Sequence, residues 1–182
     1  MKIIILDRDG VINQDSDNFI KSVDEFIPLP GSIDAIAKLK HAGYKVYIAT
    51  NQSGIHRGFY DVNTLHAMHE KLANLLEQKN AAIDGIEYCP HGPADRCACR
   101  KPNTGMYLNI AKHENLTDLS DVLVVGDSLR DLQAAQAVNA KPHLVRTGKG
   151  ERTIKKGEGL DGIPVYNDLS DFVSQLLESS SK

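Results

Sequence analysis

Two carboxylates stand at the end of the first apolar run in this chain. The segment IIILDRDG, residues 3 to 10, leads from four apolar residues directly to Asp7 and Asp9. Like charges at this spacing repel each other unless a cation or hydrogen-bond donors compensate them. Carboxylate oxygens are the ligands that Mg²⁺ prefers. The pair therefore predicts a metal site in which one or both carboxylates could also react.

Three further polar motifs occupy comparable positions, at the end of a predicted strand or the start of a predicted helix. They are TNQSG at 50–54, RKP at 100–102 and GDSLRD at 126–131. The carboxyl ends of parallel strands converge on one crevice. We therefore expect a single site that combines carboxylates, a hydroxyl, a lysine, an arginine and free backbone amides.

These groups are suited to phosphoryl transfer. A divalent cation would relieve the repulsion between Asp7, Asp9 and Asp127. With Lys101, it would also neutralise a bound phosphate. Asp7 could then attack phosphorus to form an aspartyl phosphate, while Asp9 could protonate the leaving oxygen and later activate water. Each motif alone has an ordinary explanation, since D-x-D and Thr50 often cap turns and Asp127 could cap a helix. Their joint placement at strand ends favours catalysis.

All three cysteines of the chain lie in one short segment. Together with one histidine they offer a full tetrahedral set for structural Zn²⁺, with no position left for water. The predicted ligands are Cys89, His91, Cys97 and Cys99. The alternative is three reduced thiols beside a surface histidine, but the clustering of every cysteine favours zinc. Because Arg100 and Lys101 follow directly, zinc would hold the loop that carries them.

Short apolar strands alternate with amphipathic helices along the chain. This order predicts an α/β fold, a Rossmann-like parallel sheet with helices on both faces. The predicted strands are Ile3–Leu6, Lys45–Ala49, Gly85–Tyr88, Val122–Val125 and His143–Val145. The predicted helices cover 32–41, 63–79, 105–113, 129–138 and 168–177. We expect residues 1–182 to form a single domain with the zinc loop at 89–101, and the polar segments 13–28 and 51–62 to shape the pocket.

Composition argues against several classes of function. The chain has 182 residues, of which 41% are apolar, and a net charge of −3. That charge gives no reason to expect a nucleic-acid or membrane-surface partner. No apolar run approaches the roughly 20 residues of a membrane span, and the first apolar run is too short for a signal peptide. We therefore expect a cytoplasmic protein. Because a single chain of this size carries a complete site, we expect it to work as a monomer.

The four motifs together resemble those of the haloacid dehalogenase-type phosphatases, from Ile3 to about Gly150. The resemblance implies a Rossmann-like core without a large cap domain. It implies that Asp7 is the nucleophile and Asp9 the general acid and base, and that the phosphate is bound by Thr50 and Lys101. The implied Mg²⁺ ligands are Asp7, the Asp9 carbonyl and Asp127, with Asp131 in support. Val11 stands where the commoner motif has a threonine, so a hydroxyl is lost there.

The cysteine loop narrows the resemblance to the group that contains heptose bisphosphate phosphatases and histidinol-phosphate phosphatases. The segment TNQSGIHRG at 50–58 is more similar to the heptose type. This implies a small sugar bisphosphate as substrate and a role in lipopolysaccharide precursor biosynthesis. The implied substrate contacts are Asp15, Ser16, Asp17, Asn18, Asn51, Gln52, Ser53, Arg100 and Ser128. Of these, Arg100 could pair bidentately with a second phosphate.

Three alternatives remain open at this point. The first keeps the chemistry and changes the substrate to histidinol phosphate. The second is a zinc-stabilised binding protein that has lost catalysis, and the retention of Asp7, Asp9, Lys101 and Asp127 argues against it. The third is a nucleic-acid end phosphatase, for which the sequence offers no basic groove.

Overall fold

The apolar run that opens the chain forms the central strand of a parallel sheet. In the computed structural model, which describes residues 1–181, its side chains are buried on both faces of that sheet. The strands are β1 (Ile3–Leu6), β2 (Lys45–Asn51), β3 (Gly85–Cys89), β4 (Leu123–Gly126), β5 (Lys141–Val145) and β6 (Val165–Tyr166). They are arranged in the order β3-β2-β1-β4-β5-β6, and every pairing is parallel. The order reverses at β1, which is where a sheet of this kind opens a crevice.

Helices cover both faces of the sheet. They are α1 (Ser32–His41), α2 (Val62–Glu77), α3 (Gly105–His113), α4 (Leu129–Ala137), α5 (Gly150–Lys156) and α6 (Leu169–Ser179). Successive side chains of a strand point to opposite faces. Ile4 and Leu6 therefore pack in one core with α1, α2 and α6. Ile3 and Ile5 pack in a second core with α3 and α4.

The predicted fold class is confirmed, and two elements escaped prediction. The short helix α5 reads GERTIKK and buries only Gly150 and Thr153, so its sequence has no apolar face to detect. The edge strand β6 has two residues, too few to show a periodicity. No large cap is inserted between the elements within residues 1–181. None of the described helices combines the length and apolarity that a membrane span requires.

Candidate active site

A cavity of about 330 Å³ opens at the carboxyl ends of β1, β2 and β4. Most of the predicted Mg²⁺-binding, catalytic and substrate-binding residues line it. They are Asp7, Asp9, Asp15, Ser16, Asp17, Asn51, Gln52, Ser53, Arg100, Lys101, Asp127, Ser128 and Asp131. The two exceptions are Thr50, which is buried beneath Gln52 and accepts a hydrogen bond from its Nε2 at 2.9 Å, and the exposed Asn18. The four sequence motifs are thus brought to one place.

Lys101 is the buried cation of this cavity, with 2% of its surface exposed. Its Nζ donates to the Ala49 carbonyl at 2.6 Å, to Asp7 Oδ1 at 3.1 Å and to Asp131 Oδ1 at 2.6 Å. Burial alone would lower the pKa of Lys101, but the carboxylates of Asp131 and Asp7 outweigh burial and raise its pKa above the ordinary value. The ammonium is therefore charged throughout the physiological range.

The backbone of Lys101 is fixed by Asn51, at the end of β2. The Asn51 Nδ2 donates to the Lys101 carbonyl at 3.1 Å, and its Oδ1 accepts from the Lys101 amide at 3.0 Å. Both functional groups of the Asn51 amide are therefore engaged by one neighbouring residue. Asn51 lines the cavity as predicted, and the structure also makes it the clamp that positions the lysine.

Three carboxylates surround this single ammonium. One oxygen from each of Asp7, Asp127 and Asp131 lies within 4.8 Å of the other two. Burial raises the pKa of Asp7 to about 7, and the charge of Asp131 adds to this effect while Lys101 opposes it. Burial and the same neighbouring carboxylates also raise the pKa of Asp127 well above its ordinary value. The cluster therefore holds more negative charge than the protein compensates, which is the electrostatic condition for binding a divalent cation.

The three carboxylates differ in the oxygens that they leave free. Both carboxylate oxygens of Asp131 are hydrogen-bonded. Its Oδ1 accepts from Lys101, and its Oδ2 accepts from the Ser128 amide and hydroxyl at 3.2 and 3.0 Å. Asp7 and Asp127 each retain one oxygen with no donor among the described residues, since only their other oxygen is bonded. The donor set thus fits Mg²⁺, with Asp7 and Asp127 as direct ligands. Asp131 orients the lysine and caps α4.

Close backbone approach makes room for this cluster. Gly10 has a φ of +86°, and a Cβ there would lie 2.0 Å from Asp127 Oδ2. Any larger residue would collide with the carboxylate and adopt a strained backbone. The glycine of the first motif is therefore required by the position of Asp127 across the cavity.

Asp9 occupies a very different environment from Asp7. Its Oδ1 accepts from Arg8 Nε at 3.0 Å, from Arg8 Nη2 at 2.7 Å and from Asn13 Nδ2 at 2.8 Å, while its Oδ2 accepts from Gln52 Nε2 at 3.0 Å. Burial would raise the pKa of Asp9, but the Arg8 charge and these hydrogen bonds outweigh burial and lower its pKa. Two carboxylates two residues apart thus have pKa values displaced in opposite directions.

Arg8 was not predicted as a site residue, although it stands between the two carboxylates in sequence. Its side chain is completely buried. Besides pairing with Asp9, its guanidinium lies 5.3 Å from the centre of the Phe26 ring, and its Nη1 is 3.3 Å from His69 Nε2. A buried arginine in the motif itself was the available signal, since such a residue needs a carboxylate partner.

The cysteine loop brings its four predicted ligand atoms together at the end of β3. The Cys89 sulfur lies 3.1 Å from that of Cys99 and 3.6 Å from that of Cys97, and the His91 Nδ1 lies 3.2 Å from the Cys99 sulfur. All four donor atoms fall within 4.8 Å of one another. This set fits a closed tetrahedral Zn²⁺ site. The Cys97 sulfur also accepts from the Arg100 amide at 3.4 Å, which links the cluster to the cavity.

Two of the predicted substrate-binding acids are paired with cations near α5. Asp17 forms a bidentate pair with Arg152, with distances of 2.9 and 2.8 Å. Asp15 lies 3.6 Å from Lys149 Nζ. Both aspartates line the cavity, but these cations compensate their charges, and the ion pairs hold the 13–28 segment close to α5. These cations were not predicted because α5 itself was not.

The strand order of the parallel sheet reverses at β1, and at that point carboxylates with unbonded oxygens lie beside a buried lysine. This arrangement defines a phosphoryl-transfer class of α/β hydrolase. The model of the haloacid dehalogenase-like hydrolase family matches residues 2–139, and the chain belongs to that family. The expected resemblance is therefore confirmed.

Several relatives match this chain over nearly its whole length. A protein of Bordetella bronchiseptica named D-glycero-beta-D-manno-heptose-1,7-bisphosphate 7-phosphatase is 53% identical over 180 residues, which cover 99% of this chain and 100% of that protein. A Pseudomonas aeruginosa protein of the same name is 52% identical over 176 residues, covering 97% and 98%. The crystal structure of the B. bronchiseptica D,D-heptose 1,7-bisphosphate phosphatase, complexed with magnesium and phosphate, matches with a TM-score of 0.95 at 53% identity, covering 98% of this chain and 99% of that one.

Proposed function

We propose that this chain is a Mg²⁺-dependent phosphatase that removes the C7 phosphate of D-glycero-β-D-manno-heptose 1,7-bisphosphate. The observation that carries the proposal is the pair of open carboxylate oxygens on Asp7 and Asp127, which face a cavity whose only fully buried ammonium, among the described residues, is that of Lys101. The heptose substrate is supported by the names of relatives that are more than 50% identical over the whole chain.

Asp7 would attack the phosphorus of the substrate. A new bond forms between one oxygen of the Asp7 carboxylate and phosphorus, and the bond from phosphorus to the sugar O7 breaks. The electron pair of that bond goes to O7, which takes a proton from Asp9. Asp9 must therefore be protonated when the substrate is bound, against its lowered pKa in the free protein. Mg²⁺, held by Asp7, Asp127 and the Asp9 carbonyl, would supply positive charge against the phosphate. Lys101, already bonded to Asp7, would keep the reacting carboxylate oriented.

Asp9 would then act as the base for the second half of the reaction. It takes a proton from a water molecule, whose oxygen attacks phosphorus and releases Asp7 and inorganic phosphate. Of its two oxygens, Oδ1 is held by Arg8 and Asn13, whereas Oδ2 has only the Gln52 amide. We assign proton transfer to Oδ2, because a single neutral hydrogen bond is the easier one to exchange for a substrate oxygen.

Zn²⁺ bound by Cys89, His91, Cys97 and Cys99 would hold the conformation of the loop that carries Lys101. Thiolate ligands require reduced cysteines, so we place the protein in the cytoplasm, where thiols stay reduced. We further propose that it works as a monomer, because every group assigned a role comes from one chain.

The test is a comparison of inorganic phosphate release from the heptose 1,7-bisphosphate and from histidinol phosphate, with Mg²⁺ present. We expect hydrolysis of the heptose substrate with a kcat/KM far above that for histidinol phosphate, and no release by Asp7→Asn. The covalent step is tested by acid-quenching a turnover of substrate that carries ³²P in its C7 phosphate, which should leave label on the peptide that contains Asp7. A preference for histidinol phosphate would refute the substrate, and a quenched Asp7 peptide without ³²P would refute the covalent route.

A further inference from the structure

Two buried side chains from different parts of the sequence hold the carboxylate of Asp9. Arg8 donates to Asp9 Oδ1 from its Nε at 3.0 Å and from its Nη2 at 2.7 Å. Gln52 donates to Asp9 Oδ2 from its Nε2 at 3.0 Å. Arg8 is completely buried, and Gln52 has 3% of its surface exposed. Because both side chains are shielded from water, their orientations depend on the residues that surround them.

His69, on α2, fixes the far end of the Arg8 guanidinium. Its Nε2 lies 3.3 Å from Arg8 Nη1, and the Met68 sulfur lies 3.6 Å from the same nitrogen. A guanidinium has only donors, so His69 Nε2 is the acceptor and the imidazole proton is on Nδ1. Burial lowers the pKa of His69 to about 3, and the Arg8 charge acts in the same direction. The acceptor is therefore neutral, and it leaves the positive charge of Arg8 available to Asp9.

Tyr60 fixes Gln52 in a comparable way. Its hydroxyl donates to Gln52 Oε1, while Gln52 Nε2 donates to Asp9 and, at 2.9 Å, to Thr50 Oγ1. Burial raises the pKa of Tyr60 to about 12, so the phenol keeps the proton that it donates. The ring packs against Gly54, where a Cβ would come within 2.3 Å of Tyr60 Cε1. The last glycine of the TNQSG motif thus makes room for the tyrosine, and the tyrosine determines which end of the Gln52 amide faces Asp9.

We propose that His69 and Tyr60 are positioning residues for proton transfer by Asp9, an inference that rests on the proposed function. His69 acts through Arg8 on Oδ1. Tyr60 acts through Gln52 on Oδ2, the oxygen to which proton transfer is assigned. A carboxyl group with both oxygens held presents its proton in one direction, and proton transfer contributes to catalysis only when the two heavy atoms are within hydrogen-bond reach. Without either residue, Asp9 remains in the site but its side chain is free to turn.

The experiment distinguishes a misplaced acid from general damage to the site by changing the leaving group. The sugar O7 is strongly basic and needs a proton as it departs, whereas the phenolate released from 2,4-dinitrophenyl phosphate is a weak base and needs none. The ratio kcat/KM covers only the steps through departure of the leaving group, so the later action of Asp9 as a base does not enter it. This ratio is measured with Mg²⁺ on heptose 1,7-bisphosphate and on 2,4-dinitrophenyl phosphate for wild type and each variant.

His69→Leu and Tyr60→Phe should each lower kcat/KM for the heptose substrate about 10- to 100-fold, and for the dinitrophenyl ester by less than about 3-fold. His69→Gln, whose side-chain oxygen can accept from Arg8, should recover most of the loss. Tyr60→Phe keeps the ring and removes only the hydroxyl, so it tests the proposal even if His69→Leu does not fold. The matched control is His66→Leu, which replaces an exposed histidine of the same helix outside the cavity and should leave both ratios unchanged.

Equal losses on the two substrates would overturn the inference, because they would indicate a damaged site, and so would unchanged kinetics in His69→Leu and Tyr60→Phe. Asp9→Asn is the reference for the proposed function and should show the same dependence on the leaving group. If Asp9→Asn affects both substrates equally, Asp9 is not the acid, and the proposed mechanism fails together with the inference. If Asp9→Asn depends on the leaving group and the other two variants do not, only the roles of His69 and Tyr60 are overturned.

Discussion

Replacing the proposed nucleophile should make the metal-free protein more stable. Asp7 has a pKa raised from 3.8 to about 7, chiefly by burial. Its folded pKa lies above its unfolded pKa, so the folded state binds the proton more tightly. The contribution of this group to stability is therefore greatest below about pH 4 and is lost as the pH rises toward 7. Asp7→Asn removes the titrating group and keeps an oxygen that can accept from Lys101.

The size of the effect follows from the displacement of the pKa. A change from 3.8 to about 7 corresponds to roughly 4 kcal/mol above pH 7. The Asp7 side chain keeps 14% exposure, which makes this an upper value. For a chain of this length, about 4 kcal/mol corresponds to a shift of roughly 8–16 °C in Tm. We expect Asp7→Asn to exceed wild type by up to that amount at pH 8 without Mg²⁺, and to match it near pH 4.

The assay is thermal and urea unfolding from pH 4 to pH 8, after dialysis against Mg²⁺-free buffer. Dialysis replaces a strong chelator, which would also strip the proposed zinc site. Burial lowers the pKa of His69 to about 3 and lowers that of His143, so these residues make stability rise with pH over part of the same range. Their contribution is common to both proteins and cancels in the difference between wild type and Asp7→Asn.

Added Mg²⁺ should then separate the two proteins. Mg²⁺ at 100 times its Kd should stabilise wild type by about 2.7 kcal/mol at pH 8. It should stabilise wild type much less at pH 5, where a proton competes for Asp7. The variant should respond weakly at both values. If wild type and Asp7→Asn show parallel stability curves between pH 4 and pH 8, the buried carboxylate is not strained in the way the structure indicates.

Three other outcomes follow from the geometry. Asp9→Asn should lower kcat about 10²- to 10⁴-fold while leaving Mg²⁺ affinity, measured by calorimetry, nearly unchanged, because its proposed ligand is a backbone carbonyl; wild-type turnover would contradict its role. Cys97→Ser should release zinc, measured by elemental analysis, and lower kcat/KM through the loop that carries Lys101; full activity with zinc lost would disprove that coupling. Glu114→Gln should cost about 1–3 kcal/mol in urea unfolding at pH 7, because the neutral amide loses the charge that strengthens the bonds Glu114 accepts from Lys45 at 2.6 Å and from Tyr47, and the cost should vanish below its lowered pKa.

The sheet and the placement of most candidate site residues were predictable because their signals are local. An apolar run such as Ile3–Leu6 specifies a buried strand by itself, and the polar motif that follows is carried to the crevice by the parallel order. The cysteine cluster was predictable for a similar reason, since its four donors lie within eleven residues of one another. In these cases the position in sequence nearly determines the position in space.

Contacts that join distant segments were not predictable in the same way. The pairing of Asp17 with Arg152 spans 135 residues, and it depends on a helix whose sequence carries no apolar period. Asn51 was predicted to touch substrate, but its amide holds a backbone 50 residues away. A polar side chain at the end of a strand can contact substrate or hold a neighbouring backbone segment. Which of the two it does depends on where the neighbouring loop lies.

The position of Lys101 indicates how the loop at 89–101 would support the proposed catalysis. An ammonium bonded to two carboxylates and a carbonyl is precisely placed only if its own backbone cannot move. Asn51 holds that backbone from β2, and the Cys97 sulfur holds the preceding amide from the zinc cluster. These two restraints act on consecutive residues of the loop that carries the lysine. Loss of either would therefore widen the distribution of Nζ positions, and the electrostatic stabilisation that depends on a fixed charge would weaken before the fold itself is lost.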